Sequence, residues 1–212
     1  MRGYRIDLIR HGKTQANDDG RFIGSTDLPL SDDGVSGLYR LLEERDYPYA
    51  EKVYCSTLLR AKQTAAILYP NTDTEYMDEL KEASLGDFEN KTLDELMQRE
   101  DFRKYLENAM KNPPPNGENP KDIIMRCLTA LNKIIGEMMR EGLTHTAVIT
   151  HGGIIQSMAA SFGMPKLKAG QLSLDFGEGI EVIVTADMWQ RSGCFEIAGK
   201  IPLEKISEED DY

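Results

Sequence analysis

The chain is short of several residue types, and each shortage narrows what it can be. It has three cysteines, Cys55, Cys127 and Cys194, widely spaced and without a C-x-x-C pair. That argues against a structural zinc site and a disulfide framework, and for a reducing compartment. No stretch approaches the about 18 consecutive apolar residues of a membrane helix, so no membrane span is expected. The sequence opens directly on a strand-like segment, so no leader is expected and the cytoplasm is the expected location. Positive charge is scarce: 25 Lys and Arg against 36 Asp and Glu give a net charge of -11. Such a balance speaks against a nucleic-acid or anionic-membrane surface, and against anionic ligands unless cations gather locally. Part of the acidic excess lies in Glu204 to Asp211, read as a solvated, frayed tail. Repeats and low-complexity tracts are absent. The 212 residues are read as a single domain with an acidic tail from about residue 204.

What is present alternates between strand and helix signals. Ile6, Leu8 and Ile9 make an apolar run that stops at Arg10-His11-Gly12, the pattern of a buried strand ending in polar residues. Thr14 is a candidate cap. A turn-rich loop leads to Ser31, the N-cap of a helix carrying Val35, Leu38, Leu41 and Leu42 and ending near Arg45. Lys52 to Cys55 reads as a second strand, Ser56-Thr57 as the cap of a helix over 58–68, and Thr74 to Met77 as a third strand. Thr92-Leu93-Asp94-Glu95 fits a capping box. Pro113-Pro114-Pro115-Asn116-Gly117 reads as an ordered loop before a helix from about Pro120 to Arg140. Thr146 to Thr150 is a buried strand ending in His151-Gly152-Gly153, followed by a helix over 154–162. Ile180 to Trp189 and Cys194 to Ile197, joined by a turn at 190–193, look like a closing antiparallel hairpin. The order predicts a three-layer α/β/α sandwich around a mostly parallel sheet with an antiparallel edge strand.

Strand-then-His-Gly thus occurs twice, at His11 and His151, and uses two of the three histidines. Arg60 lies in the first turns of the helix after the second strand. In a parallel sheet these residues share the crevice beyond the strands' carboxyl ends, with Arg10 beside them. Two guanidinium forks and a helix N-terminus facing one crevice make an anion site. Asp7 and His145 are read as structural.

The blocks that carry these residues resemble the histidine phosphatase superfamily, in its phosphoglycerate mutase-like branch. Arg10-His11-Gly12-Lys13-Thr14-Gln15-Ala16-Asn17 is similar to its R-H-G-x-[TS]-x-x-N signature, and Ser56 to Ala65 to its S-x-L-x-R-A-x-x-T-A block. Leu80-Lys81-Glu82 with Gly86-Asp87-Phe88-Glu89, and Thr150-His151-Gly152-Gly153, follow in the family's order. The resemblance implies His11, Glu82 and His151 as catalytic groups, and Arg10, Asn17, Ile23, Gly24, Arg60 and Gly152 as phosphate or substrate contacts. It implies no metal and no cofactor. The chain departs from the family at Lys13, where an acidic residue is common, at Asn90, where glycine is common, and at Asn119, which replaces the serine of a G-E-S segment.

The chemistry follows residue by residue. Neutral His11 can attack phosphorus and form a phosphohistidine that water hydrolyses, with Arg10, Arg60 and His151 gripping the oxygens. Glu82 can protonate the leaving oxygen and then deprotonate water. The expected function is a metal-independent phosphomonoesterase acting on a small phosphate ester, with a homodimer left open. The alternative is a cofactor-dependent phosphoglycerate mutase, disfavoured because Glu82 to Pro113 lacks an adjacent arginine pair. A third reading, an inactive phospho-ligand-binding module, needs a defect the sequence does not have. A cysteine phosphatase is rejected, since only four residues separate Cys55 from Arg60 where C-x5-R is required.

Overall fold

The computed structural model describes residues 3–167 and 172–205. Its elements, in chain order, are β1 (Gly3–Arg10), α1 (Gln15–Asp18), α2 (Asp32–Glu44), β2 (Arg45–Asp46), β3 (Lys52–Ser56), α3 (Leu59–Leu68) and β4 (Thr74–Met77). Then come α4 (Leu93–Met97), α5 (Glu100–Glu107), α6 (Pro120–Glu141), β5 (His145–Thr150), α7 (Gly152–Phe162), β6 (Gly163–Met164), β7 (Gly179–Thr185), α8 (Ala186–Ser192), β8 (Phe195–Ile201) and β9 (Leu203–Glu204).

Among the described residues a seven-stranded sheet runs β4-β3-β5-β1-β7-β8-β6. The strands β4, β3, β5 and β1 are parallel. Antiparallel pairing is confined to one side, where β7 is bonded antiparallel to both β1 and β8, and β6 closes that edge parallel to β8. The apolar run of β1 is continuous because both sheet faces are covered. Ile6 and Leu8 pack with Leu131, Ile135, Ile154 and Met158 of α6 and α7, while Ile9 packs on the other face with Leu38, Ala61 and Ala65 of α2 and α3. That is the expected three-layer arrangement.

Two local readings are corrected. The segment Asp187–Trp189 is helical, so the hairpin strands are joined by α8 rather than by a turn. There the Thr185 hydroxyl accepts from Met188 N and starts the helix, and Gly193, at φ 59°, ends it. The alternation of β7 carries no hint of that cap, which overrides it. Glu204 is also not frayed: β9 pairs antiparallel with β2, Glu204 opposite Arg45. The rest of the acidic tail, from residue 206, lies outside the described residues.

The register sets the functional geometry. Arg10 lies opposite Thr150 and Cys55 opposite Ile149, so β1, β3 and β5 end at the same level. The chain after each strand therefore enters one crevice. Facing it, the loop from Lys81 to Gly86 is packed on the proline-rich loop, where Pro115 O accepts from Asp87 N at 2.9 Å. Gly86, at φ 51°, has no room for a side chain there, since a Cβ would lie 2.2 Å from Pro115 O.

Asn90 sits at φ 59°, and its N–H donates to Phe22 O at 2.8 Å while its carbonyl accepts from Arg21 at 2.8 Å. Asparagine is among the few side chains besides glycine that tolerate this left-handed conformation. Asn90→Gly is expected to change stability by only a few tenths of a kcal/mol and Asn90→Ala to cost about 1 kcal/mol, read by urea denaturation. Equal losses in both variants would show that the asparagine side chain, not the backbone conformation, is needed.

Candidate active site

His11 follows β1 directly and is 6 % exposed. Its Nδ1 lies 2.5 Å from Gly12 O, and a carbonyl can only accept, so Nδ1 carries the proton. The other nitrogen, Nε2, is then an unprotonated lone pair, and it accepts from Arg60 Nε at 3.2 Å. Burial first, then the Arg60 charge, hold the imidazole well below its ordinary pKa. Gly12 is fixed in turn by α3: its N–H donates to Thr64 Oγ1 at 2.9 Å, and that hydroxyl donates to Arg60 O at 2.7 Å.

Arg60 is 1 % exposed. Besides His11 it donates to Gly24 O at 2.7 Å and Thr26 O at 2.8 Å. The loop offering these carbonyls is organised from behind by Glu89. Its carboxylate accepts from Gly24 N (3.0 Å), Ser25 N (2.9 Å), Leu85 N (3.0 Å) and the Thr26 hydroxyl (2.7 Å). Burial alone would raise the Glu89 pKa, and these donors overcome it and hold it below the ordinary value. Gly24 cannot carry a side chain, since a Cβ would lie 2.1 Å from Ala83 O. Ile23 lies beside it, half-buried.

His151 is fully buried, with its ring centre 5.0 Å from that of His11. Its Nε2 pairs with Ser56 Oγ at 2.8 Å, and its Nδ1 has no partner. Burial and the neighbouring His11 and Arg60 push its pKa well down. Ser56 is thus turned to the site and is not the side-chain cap of α3 expected from the sequence. The N-cap is Leu58, and Leu59 N is instead satisfied by Asp27 Oδ1 at 2.6 Å. Arg10 donates to Leu174 O at 2.7 Å, and its Cζ lies 3.8 Å above the Phe176 ring. Its buried Nε has no partner. Gly152 keeps that guanidinium accessible, since a Cβ there would lie 3.3 Å from the Nε.

Glu82 stands across the crevice. Its carboxylate accepts from Ala83 N (2.9 Å) and from Gly153 N (3.0 Å) in the first turn of α7. Burial raises its pKa, against these two donors and the charges of Arg60 and Arg126. The approach needs glycine, for a Cβ on Gly153 would lie 2.7 Å from Glu82 Oε1.

The structure therefore brings together Arg10, His11, Arg60, Glu82, His151 and Gly152. Asn17 stands slightly apart. Its Oδ1 accepts from Thr14 N (3.0 Å) and Thr14 Oγ1 (2.9 Å) in a capping box. Lys13 is paired with Asp18. Asn119 is the N-cap of α6, its Oδ1 accepting from Lys121 N at 2.9 Å. It thereby does locally what a serine would do. Sequence reasoning gave Ser56 only a helix-capping role and assigned none to Thr64, Glu89 or Phe176. Ser56, Thr64 and Glu89 stood inside quoted motifs, the signal that could have found them. Asp7 and His145 pair with each other at 2.8 Å, away from the crevice. With Glu181 they make a three-residue group that could hold a cation, but Glu181 is already paired with Arg5.

The arrangement suits a tetrahedral oxyanion: two guanidiniums, the N-terminus of α7, and two buried nitrogens without protein partners. Comparison with known proteins agrees. A family model described as "Histidine phosphatase superfamily (branch 1)" matches residues 6–190. An adenosylcobalamin/alpha-ribazole phosphatase of Escherichia coli is 29 % identical over 182 residues, 82 % of this chain and 86 % of that protein. A 6-phosphofructo-2-kinase/fructose-2,6-bisphosphatase of Caenorhabditis elegans is 32 % identical over 164 residues, 74 % of this chain, but the match spans only 34 % of its length. The solved structure of a phosphoglycerate mutase from Bacillus anthracis shares the fold at TM-score 0.77 and 20 % identity, covering 93 % of this chain and 92 % of that one.

The His11 geometry is directly checkable by nitrogen-15 NMR of the imidazoles. His11 is expected as the neutral Nδ1–H tautomer, unprotonated at pH 6.5 because its pKa is depressed. An Nε2–H tautomer, or half-protonation near pH 6.5, would contradict this geometry.

Proposed function

The chain belongs to branch 1 of the histidine phosphatase superfamily, and we propose that it is a metal-independent phosphomonoesterase acting through a phosphohistidine on a small phosphate ester. The observation that carries this reading is the His11 tautomer: Nδ1–H held by Gly12 O, Nε2 unprotonated and accepting from Arg60 Nε.

In the first step Nε2 bonds to phosphorus and the bond from phosphorus to the ester oxygen breaks, with protonated Glu82 giving its proton to that oxygen. Positive charge develops on the ring as Nε2 is phosphorylated, and the Gly12 carbonyl accepting from Nδ1–H stabilises it. In the second step water attacks phosphorus, gives a proton to the Glu82 carboxylate, and the bond to Nε2 breaks. Arg10, Arg60 and His151 hold the nonbridging oxygens throughout, which is most of what phosphoryl transfer asks of a protein. These groups supply the positive charge a metal would otherwise bring. The net charge of -11 favours a small ester over nucleic acid or a membrane surface, and the cytoplasm is the proposed location.

The names of relatives keep mutase activity as the second reading, one being a 2,3-bisphosphoglycerate-dependent phosphoglycerate mutase of Rhizobium etli. A mutase needs further cations for the substrate carboxylate. Here Lys13 is paired with Asp18, Arg99 with Asp101 and Arg126 with Glu118. These commitments support hydrolysis. Phosphorus NMR with 3-phosphoglycerate, with and without bisphosphoglycerate, separates the readings: formation of 2-phosphoglycerate would make the protein a mutase.

Two outcomes are expected in steady-state kinetics. His11→Ala abolishes turnover, whereas Glu82→Gln costs about 10²–10⁴-fold on alkyl phosphates and far less on p-nitrophenyl phosphate, whose leaving group needs no proton. The kcat/KM profile is a bell with its optimum on the acid side of neutrality. Activity falls at low pH as His11 protonates, at a depressed pKa, and at high pH as Glu82 deprotonates, at a raised one. Full activity of His11→Ala would end the proposal.

A further inference from the structure

The general acid rides on a loop, and loops are the least rigid part of a fold. The loop from Glu79 to Gly86 has its carbonyls claimed one after another. Arg126, half-buried on α6, donates through one terminal nitrogen to both Glu79 O (2.8 Å) and Lys81 O (2.6 Å). Between them, Leu80 O accepts from the Thr150 hydroxyl at 2.7 Å. Beyond Glu82, Ser84 O accepts from Glu118 N at 2.9 Å. The same Glu118 grips Arg126 in a two-pronged pair, Oε1 to Nε at 2.6 Å and Oε2 to the second terminal nitrogen at 2.9 Å. Glu118 and Arg126 thus close a ring around the acid: one holds the loop before it, the other after it, and each holds the other. The close packing is built in, since a Cβ on Gly117 would lie 2.8 Å from Ser84 O.

Resting on the phosphatase reading above, we propose that Arg126, locked by Glu118, is a positioning residue that sets the reach and the proton affinity of Glu82. It touches the loop backbone rather than the reacting atoms. A planar fork with fixed donors suits this task, because it can hold two carbonyls and a carboxylate at once, which a lysine ammonium cannot do in one plane. Its charge also opposes the rise that burial imposes on the Glu82 pKa. The Gly117-Glu118-Asn119 segment acquires a purpose: Asn119 starts α6 and Glu118 aims Arg126 from it.

The test is a set of pH–rate profiles on an alkyl phosphate and on p-nitrophenyl phosphate for the wild type, Arg126→Gln, Arg126→Lys, Glu118→Gln, Glu82→Gln and the Glu82→Gln/Arg126→Gln double variant. Arg126→Gln is expected to lower kcat on the alkyl ester about 10- to 100-fold, in line with small displacements of a catalytic group. KM should stay within a few-fold, and the loss on p-nitrophenyl phosphate should be small. The basic limb should move upward in pH, as a positive charge near a carboxyl is removed. Arg126→Lys should restore the limb but not kcat. Glu118→Gln, the milder variant if Arg126→Gln does not fold, should show the same kcat loss in weaker form. The double variant should be no slower than Glu82→Gln alone. Additive losses in the double variant, or an unmoved basic limb in a folded Arg126 variant, would overturn the inference while leaving the phosphatase reading intact. Full alkyl-ester turnover by Glu82→Gln would instead overturn the role of Glu82 and this inference with it.

Discussion

The buried guanidinium of Arg60 is the constraint on which the site depends. A charge taken out of water is costly unless its donors are met, and Arg60 meets them with partners from two parts of the chain: the Gly24 and Thr26 carbonyls and the lone pair of His11. Each partner must therefore be in place for the others to be worth burying. Glu89 makes the loop carbonyls available by collecting that loop's N–H groups, so a carboxylate that never faces the crevice decides where Arg60 points. The same interaction explains the chemistry. A proton on His11 Nε2 would confront the Arg60 N–H, so the contact that positions the imidazole adds to burial in keeping it neutral.

The sheet supplies the precision behind this arrangement. β1, β3 and β5 end level because the parallel register leaves no other pairing for their apolar faces: a one-residue slip would turn Ile9 and Leu8 to the wrong layers. β7 contributes from the other side. The chain approaching it bonds both backbone groups of Arg10, through Glu178 O at 2.8 Å and Gly177 N at 3.1 Å, and brings Phe176 under the guanidinium. The antiparallel half of the sheet thus fixes Arg10, and the parallel half fixes the histidines.

Much of this was legible in the sequence, for a physical reason. Apolar runs that stop at Arg10-His11-Gly12 and at His151-Gly152-Gly153 mark strand ends with polar residues left in the crevice. The cap expected at Thr14 and the capping box expected at Thr92 are local, closed by partners three residues away, and both stand in the structure, where Thr14 also forms a full capping box with Asn17. What could not be read depends on partners distant in sequence. Ser56 looks like a helix cap until His151, just past the end of another strand, pairs with its hydroxyl. Glu89 looks like a surface acid until the loop from Gly24 to Thr26 folds over it. Arg126 lies on a strongly amphipathic helix, where a half-buried arginine is indistinguishable from a solvated one. The helix α8 follows β7 directly, so its side-chain cap and terminal glycine mark it.

The charges also resolve an apparent contradiction between an acidic protein and an anionic ligand. At physiological salt the repulsion of distant carboxylates is screened within about 8 Å, so the field a phosphate meets is that of the nearest groups, Arg10, Arg60 and the start of α7. Both site histidines are held neutral by burial and by like charge. A phosphate dianion entering between the guanidiniums cancels much of that like charge, and each part cancelled raises an imidazole pKa. In the proposed reaction His11 loses its Nε2 lone pair to the new bond. His151 keeps an unpartnered buried nitrogen, and the proposed anion would offset the part of its depression that comes from like charge while leaving the larger part that comes from burial. In the proposed reaction that adjustment arises only with phosphate in the site, where it can serve the transition state.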